Sequence, residues 1–139
     1  MPHLTVHVLE RDLAGREAGL IAGLTDTVVE VYGEWARSIV DVRLIGLPAG
    51  RWAIGGVPVA VAAPKVTFGI KEAVFERADG REVLARLVSG VTEVMVSEYG
   101  EEVRSGVTVE FVGALDGRTG VGGVLVDPGP GGDRAVDLR

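Results

Sequence analysis

The sequence repeats itself, and that restricts its fold more than any other feature. Leu24-Thr25-Asp26-Thr27-Val28-Val29-Glu30-Val31-Tyr32-Gly33-Glu34 returns about 67 residues later as Val91-Thr92-Glu93-Val94-Met95-Val96-Ser97-Glu98-Tyr99-Gly100-Glu101. The same offset carries Gly23 to Gly90, Leu20 to Leu87, Val40 to Val107, Val42 to Val109, Gly46 to Gly113 and Gly55-Gly56 to Gly122-Gly123. Ahead of this block the offset is about 62, and Pro2-His3-Leu4-Thr5-Val6-His7-Val8 returns as Pro64-Lys65-Val66-Thr67-Phe68-Gly69-Ile70. The second copy therefore has the longer first connection, through Glu76-Arg77-Ala78-Asp79-Gly80. Much of the glycine content, 21 residues in 139, is duplication.

Each copy has the same periodicity. Leu4, Val6 and Val8 alternate with His3, Thr5 and His7, the pattern of a half-buried strand. Leu13, Leu20, Ile21, Leu24, Val28 and Val31 recur at helical spacing, with Asp12 as the expected cap and Gly33 as the expected stop. A β-branched run at Ile39 to Ile45 predicts a second strand. The second copy predicts strands at Val66 to Ile70 and Val107 to Val112 around a helix carrying Leu84, Leu87, Val88, Val91, Met95 and Tyr99. Two strand-helix-strand units with parallel, right-handed connections give an α+β fold: a four-stranded sheet with two helices on one face. The other face needs a cover, and a partner subunit is expected to supply it, with His3 and His7 in that interior. The Gly-Gly pairs predict short hairpin arms at Val57-Pro58-Val59 and Val124-Leu125-Val126. The chain reads as one domain, with a first unit over 1–62, a second over 63–126 and a Pro/Gly-rich tail over 127–139 that is expected to be mobile.

Composition narrows the function. With no cysteine, disulfides and thiolate metal sites are excluded. A net charge of −6 without a basic cluster argues against nucleic-acid binding. No apolar run approaches the roughly 20 residues of a membrane helix, and the start lacks a secretory pattern, so a cytoplasmic location is expected. The most reactive group on offer is Pro2. With Met1 removed it carries a secondary amine, and an α-amino group titrates near about 8 before any perturbation. An apolar pocket with cationic neighbours would lower that value and make a base able to take a proton from carbon beside a carbonyl. Pro64 cannot do the same, because its nitrogen is an amide.

Pro2 opening a strand, Thr5-Val6-His7-Val8-Leu9-Glu10-Arg11, the Leu20-Ile21 to Leu24-Thr25 helix, Val40-Asp41-Val42 and Gly50-Arg51-Trp52-Ala53-Ile54-Gly55-Gly56 together resemble the tautomerase superfamily, typified by 4-oxalocrotonate tautomerase. Pro48-Ala49-Gly50 and Gly122-Gly123-Val124-Leu125-Val126-Asp127-Pro128-Gly129 look most like the cis-3-chloroacrylic acid dehalogenase branch. The resemblance implies a homotrimer of β-α-β units and a catalytic Pro2. It implies proton transfer, without cofactor or metal, in a small 2-keto or enol carboxylic acid. It also implies a carboxylate clamp and an aromatic wall. The family's two arginine places read Asp12 and Asp41 here, and the nearest guanidiniums are Arg11 and Arg43. The wall residue is kept as Trp52, while Lys71 and Arg77 are the nearest cations to the arginine pair of the dehalogenases. Hydrolytic dehalogenation, malonate semialdehyde-type decarboxylation and a non-catalytic trimer are the alternatives within the resemblance.

Overall fold

The computed structural model describes residues 2–126, so the expected mobile tail lies outside the described residues. In chain order the elements are β1 (His3–Leu9), α1 (Glu17–Tyr32), β2 (Asp41–Leu47), β3 (Ala53–Ile54), β4 (Val57–Pro58), β5 (Lys65–Lys71), α2 (Ala73–Glu76), α3 (Gly80–Tyr99), β6 (Thr108–Ala114), β7 (Gly120–Val121) and β8 (Val124–Leu125). Four strands form one sheet in the order β2-β1-β5-β6. β1 pairs parallel with β2 and β5 parallel with β6, as a crossover through one helix requires. The units meet through antiparallel β1 and β5. In that ladder Thr5 opposes Thr67, its own counterpart in the repeat. A pseudo-two-fold axis therefore passes between the two threonines, and it sends Pro2 and Pro64 to opposite ends of the sheet.

The core is a duplicated surface closed on itself. Leu4, Val6, Val8, Val66, Phe68 and Ile70 point to the helical side and are buried. Leu20, Leu24 and Val28 of α1 and Leu87, Val91 and Met95 of α3, each set spaced by four, meet them and are fully buried. The helices come close because small residues line their contact. A Cβ on Gly23 would lie 2.9 Å from Val94 Cγ1, and one on Gly90 would lie 2.5 Å from Thr27 Cγ2. These are one contact seen twice, since Gly23 corresponds to Gly90 and Thr27 to Val94.

The expected helix start is corrected. Asp12 does not cap α1: Glu10–Asp12 form a 3-10 turn, and α1 begins at Glu17 with Arg16 at its N-cap position. Gly15, at φ 81°, redirects the chain between them, a conformation open mainly to glycine. The longer connection of the second copy folds as α2 and leads into α3. Gly33 and Gly100 end the long helices with positive φ and extended ψ, which turns the chain outward rather than into a left-handed cap. The Gly-Gly pairs make the expected hairpins, β3-β4 and β7-β8. Among the described residues no helix is long and apolar enough to cross a membrane.

Candidate active site

The end of the sheet that carries Pro2 is defined by where α1 stops. The helix runs back from the C-terminal end of β1 and ends at Tyr32, beside the strand start that carries Pro2. Pro2 is fully buried, and its carbonyl accepts a hydrogen bond from the Asp41 N–H at 3.2 Å. His3 opposes Gly69 on the neighbouring strand, and continuing the antiparallel register sets Pro2 beside Ile70. The His3 ring lies across Gly69: a Cβ there would fall 1.9 Å from His3 Nε2.

Two of the expected cations share this end. Lys71 closes β5, its side chain is only 15% exposed, and its Nζ is 3.9 Å from Asp116 Oδ1. Arg77 follows α2 and gives two hydrogen bonds of 2.9 Å to the Asp79 carboxylate. That pairing raises the Arg77 pKa and lowers that of Asp79. Burial raises the Tyr32 pKa, with the Arg77 charge pulling the other way. Arg43 lies on the helix-free face opposite Thr5, and its guanidinium is held by Asp41 at 2.9 and 3.3 Å.

Arg11 and Trp52 belong to the other end. Arg11 stands in the turn after β1, roughly 25 Å along the strand from Pro2 at about 3.3 Å per residue. Trp52 lines a pocket of about 440 Å³ on the helix-free face, together with His7, Arg51, Lys65, Thr108 and Glu110. Within one chain Pro2, Lys71 and Arg77 are brought to one end and Arg11 and Trp52 to the opposite one. The sequence reading passed over Arg118, in the connection that leaves β6 at the Pro2 end. The repeat could have found it, because the offset of about 67 makes it the counterpart of Arg51. Among the described residues no cluster of three or more His, Cys, Asp or Glu is placed to hold a metal ion.

This arrangement, two β-α-β units sharing an antiparallel junction with a proline opening each first strand, has close relatives in shape. No family model matches the chain, and no curated protein matches it. Solved structures do. The duplicated fold is that of fused 4-OT structures. A native fused 4-OT superposes with a TM-score of 0.74 at 24% identity over 88% of this chain and 94% of its own. A wild-type fused 4-OT described as a symmetric trimer gives 0.73 at 21% identity, over 93% and 98%. A member of the cis-3-chloroacrylic acid dehalogenase family gives 0.62 at 18% identity, over 91% and 85%.

Proposed function

We propose that the chain is a cofactor-independent tautomerase in which the secondary amine of Pro2, once Pro2 is the first residue, moves a proton within a small 2-keto or enol carboxylic acid. The observation that carries this reading is the position of Pro2. It is buried at a strand start, at the sheet end that also gathers Lys71, Arg77 and Arg118. Burial disfavours an ammonium, so the amine is held in the neutral form a base requires. It takes a proton from carbon beside the carbonyl, the negative charge passes to the carbonyl oxygen, and the ammonium returns the proton at the new site. A cation on the substrate carboxylate fixes the acid and offsets the developing charge, a role for Lys71 and Arg77 and for Arg43 on the adjacent face.

The protein works as a homotrimer in this reading. The helix-free face and its hairpins expose Ile45, Ile54, Val57, Val112, Val124 and Leu125, an apolar surface of the kind that subunits cover. Fused 4-OT structures of the same fold are described as trimers. In this reading Arg11 and Trp52, which lie away from Pro2 within one chain, join a Pro2 site only across a subunit boundary.

The test begins with a mass measurement showing that the purified chain starts at Pro2. Ketonisation of phenylenolpyruvate or 2-hydroxymuconate is then followed, and Pro2→Ala is expected to lower kcat/KM by about 100-fold or more. Unchanged turnover in that variant refutes the proposal. Release of chloride from 3-chloroacrylate, or of carbon dioxide from malonate semialdehyde, would move the reaction to the dehalogenase or decarboxylase alternative. A second reading, a trimer without chemistry, is favoured by one observation: the guanidiniums of Arg43 and Arg77 are already taken by Asp41 and Asp79. A retained Met1 would decide for it.

A further inference from the structure

The two ends of the sheet are related by the pseudo-two-fold axis, but they differ in chemistry. At the Pro64 end a cavity of about 240 Å³ lies between the start of α1, the end of α3 and the segment that leads into β5. Val8, Val61 and Val103 form its apolar wall beside Pro64, and its polar groups come from Arg16, Asp12, Tyr99 and Glu102. Tyr99 is fixed by a 2.9 Å hydrogen bond from its hydroxyl to the Asp12 carbonyl. The half-buried Arg16 guanidinium lies 4.8 Å from the centre of the Tyr99 ring and donates to the Glu98 carbonyl. Among the described residues no carboxylate forms an ion pair with Arg16. At the other end the Arg77 guanidinium is gripped by the Asp79 carboxylate through two bonds.

We infer that the Pro64-end cavity is a second ligand site, built for a small aliphatic zwitterion of the α-amino acid class. The ligand carboxylate takes the Arg16 guanidinium as the Asp79 carboxylate takes that of Arg77. A bare carboxylic acid matches the site poorly, because one arginine shares the lining with two acidic residues, Asp12 and Glu102. An ammonium on the same ligand answers that excess of negative charge. The aliphatic side chain then rests on Val8, Val61 and Val103. The cavity lies below the roughly 300–1,000 Å³ of drug-sized sites, which limits the ligand to a few heavy atoms beyond the zwitterion. Pro64 carries an amide nitrogen, so this end binds and does not catalyse, and the inference is independent of chemistry at Pro2.

Calorimetric titration of the full chain with L-valine, isovalerate and isobutylamine tests it. L-valine is expected to bind once per chain, and the two analogues, each lacking one charge, at least about tenfold more weakly. Asp12→Asn and Arg16→Gln are each expected to weaken L-valine by about tenfold or more. Should Arg16→Gln melt early through loss of its contact with Tyr99, Asp12→Asn carries the result, since the Asp12 side chain makes no hydrogen bond within the described chain. No binding of L-valine, equal binding of isovalerate, or full affinity in Asp12→Asn would each overturn the inference.

Discussion

Replacing Gly69 with Ala puts a methyl group where the His3 ring now lies. A Cβ at Gly69 falls 1.9 Å from His3 Nε2 and 2.2 Å from Cε1. The backbone there is ordinary strand, so the outcome depends on what His3 does. In a strand interior alanine is favoured over glycine by roughly 0.5–1 kcal/mol, because the unfolded chain has less freedom to lose. Turning the imidazole off β5 into a poorer rotamer costs about 0.5–1.5 kcal/mol. The two effects nearly cancel, and Gly69→Ala alone is expected to range from about 0.5 kcal/mol stabilising to about 1 kcal/mol destabilising. In a His3→Ala background nothing obstructs the methyl, and the same change is expected to stabilise by roughly 0.5–1 kcal/mol. The double-mutant cycle should therefore return a coupling of about 0.5–1.5 kcal/mol, the cost of turning His3, within reach of urea denaturation of the four proteins. Equal effects of Gly69→Ala in both backgrounds would refute the seating of His3 on β5, and with it the register assigned to the strand that presents Pro2.

Three further outcomes are expected. Phe68, fully buried with its ring 5.5 Å from that of Phe111, should cost about 3–5 kcal/mol on change to Ala, read as a lower calorimetric Tm. Arg104 hydrogen-bonds Glu93 and Glu101 and lowers both carboxyl pKa values, so their contribution is present above the ordinary carboxyl value of 4.5 and lost as pH falls through the lowered one. The stability gap between the native chain and Arg104→Gln should thus be open at neutral pH, close on acidification and shrink in salt, because all three groups are exposed. Finally, mixing inactive Pro2→Ala and Trp52→Ala chains should restore part of the activity if protomers share sites, whereas sites contained in single chains would recover none.

Those expectations rest on features that were unequally legible in the sequence. The strands and long helices could be read because their apolar spacing is the direct image of a one-sided core, and the repeat confirmed each element twice. The start of α1 could not, because Leu13 continues the helical period while Gly15 breaks the helical path, and periodicity records burial rather than φ. The antiparallel junction was equally hidden: nothing in the Thr5 or Thr67 neighbourhood states which strand of one unit meets which of the other. That junction decides the candidate site, since it brings Lys71 and Arg77 to the Pro2 end, whereas Arg11 and Trp52 are held away from Pro2 by the parallel run of β1 and β2 within the first unit. The ion pairs that occupy Arg43 and Arg77 follow from i,i+2 neighbours, Asp41 and Asp79, and could have been anticipated from the strand period in the first case.

The repeat also indicates where function has diverged. Core positions stay apolar between copies, with Leu24 matched by Val91 and Val28 by Met95, because close-packed interiors tolerate little change. Surface positions are free to drift, at effects usually within about 0.5 kcal/mol. On the helix-free face the divergence is a change of charge: Arg43 corresponds to Glu110, Asp41 to Thr108 and His3 to Lys65. Trp52 corresponds to Thr119, while Arg51 and Arg118 agree. Stability gives no reason for exposed strand positions to exchange sign between halves that share one backbone register. Selection at two unlike ends does, one where the proposed function sets a terminal amine against an acid and one where Pro64 offers only an amide. Substrate choice should accordingly respond to exchanging the residues that differ between copies, Arg43 with Glu110 and Trp52 with Thr119, more than to changing those the copies share.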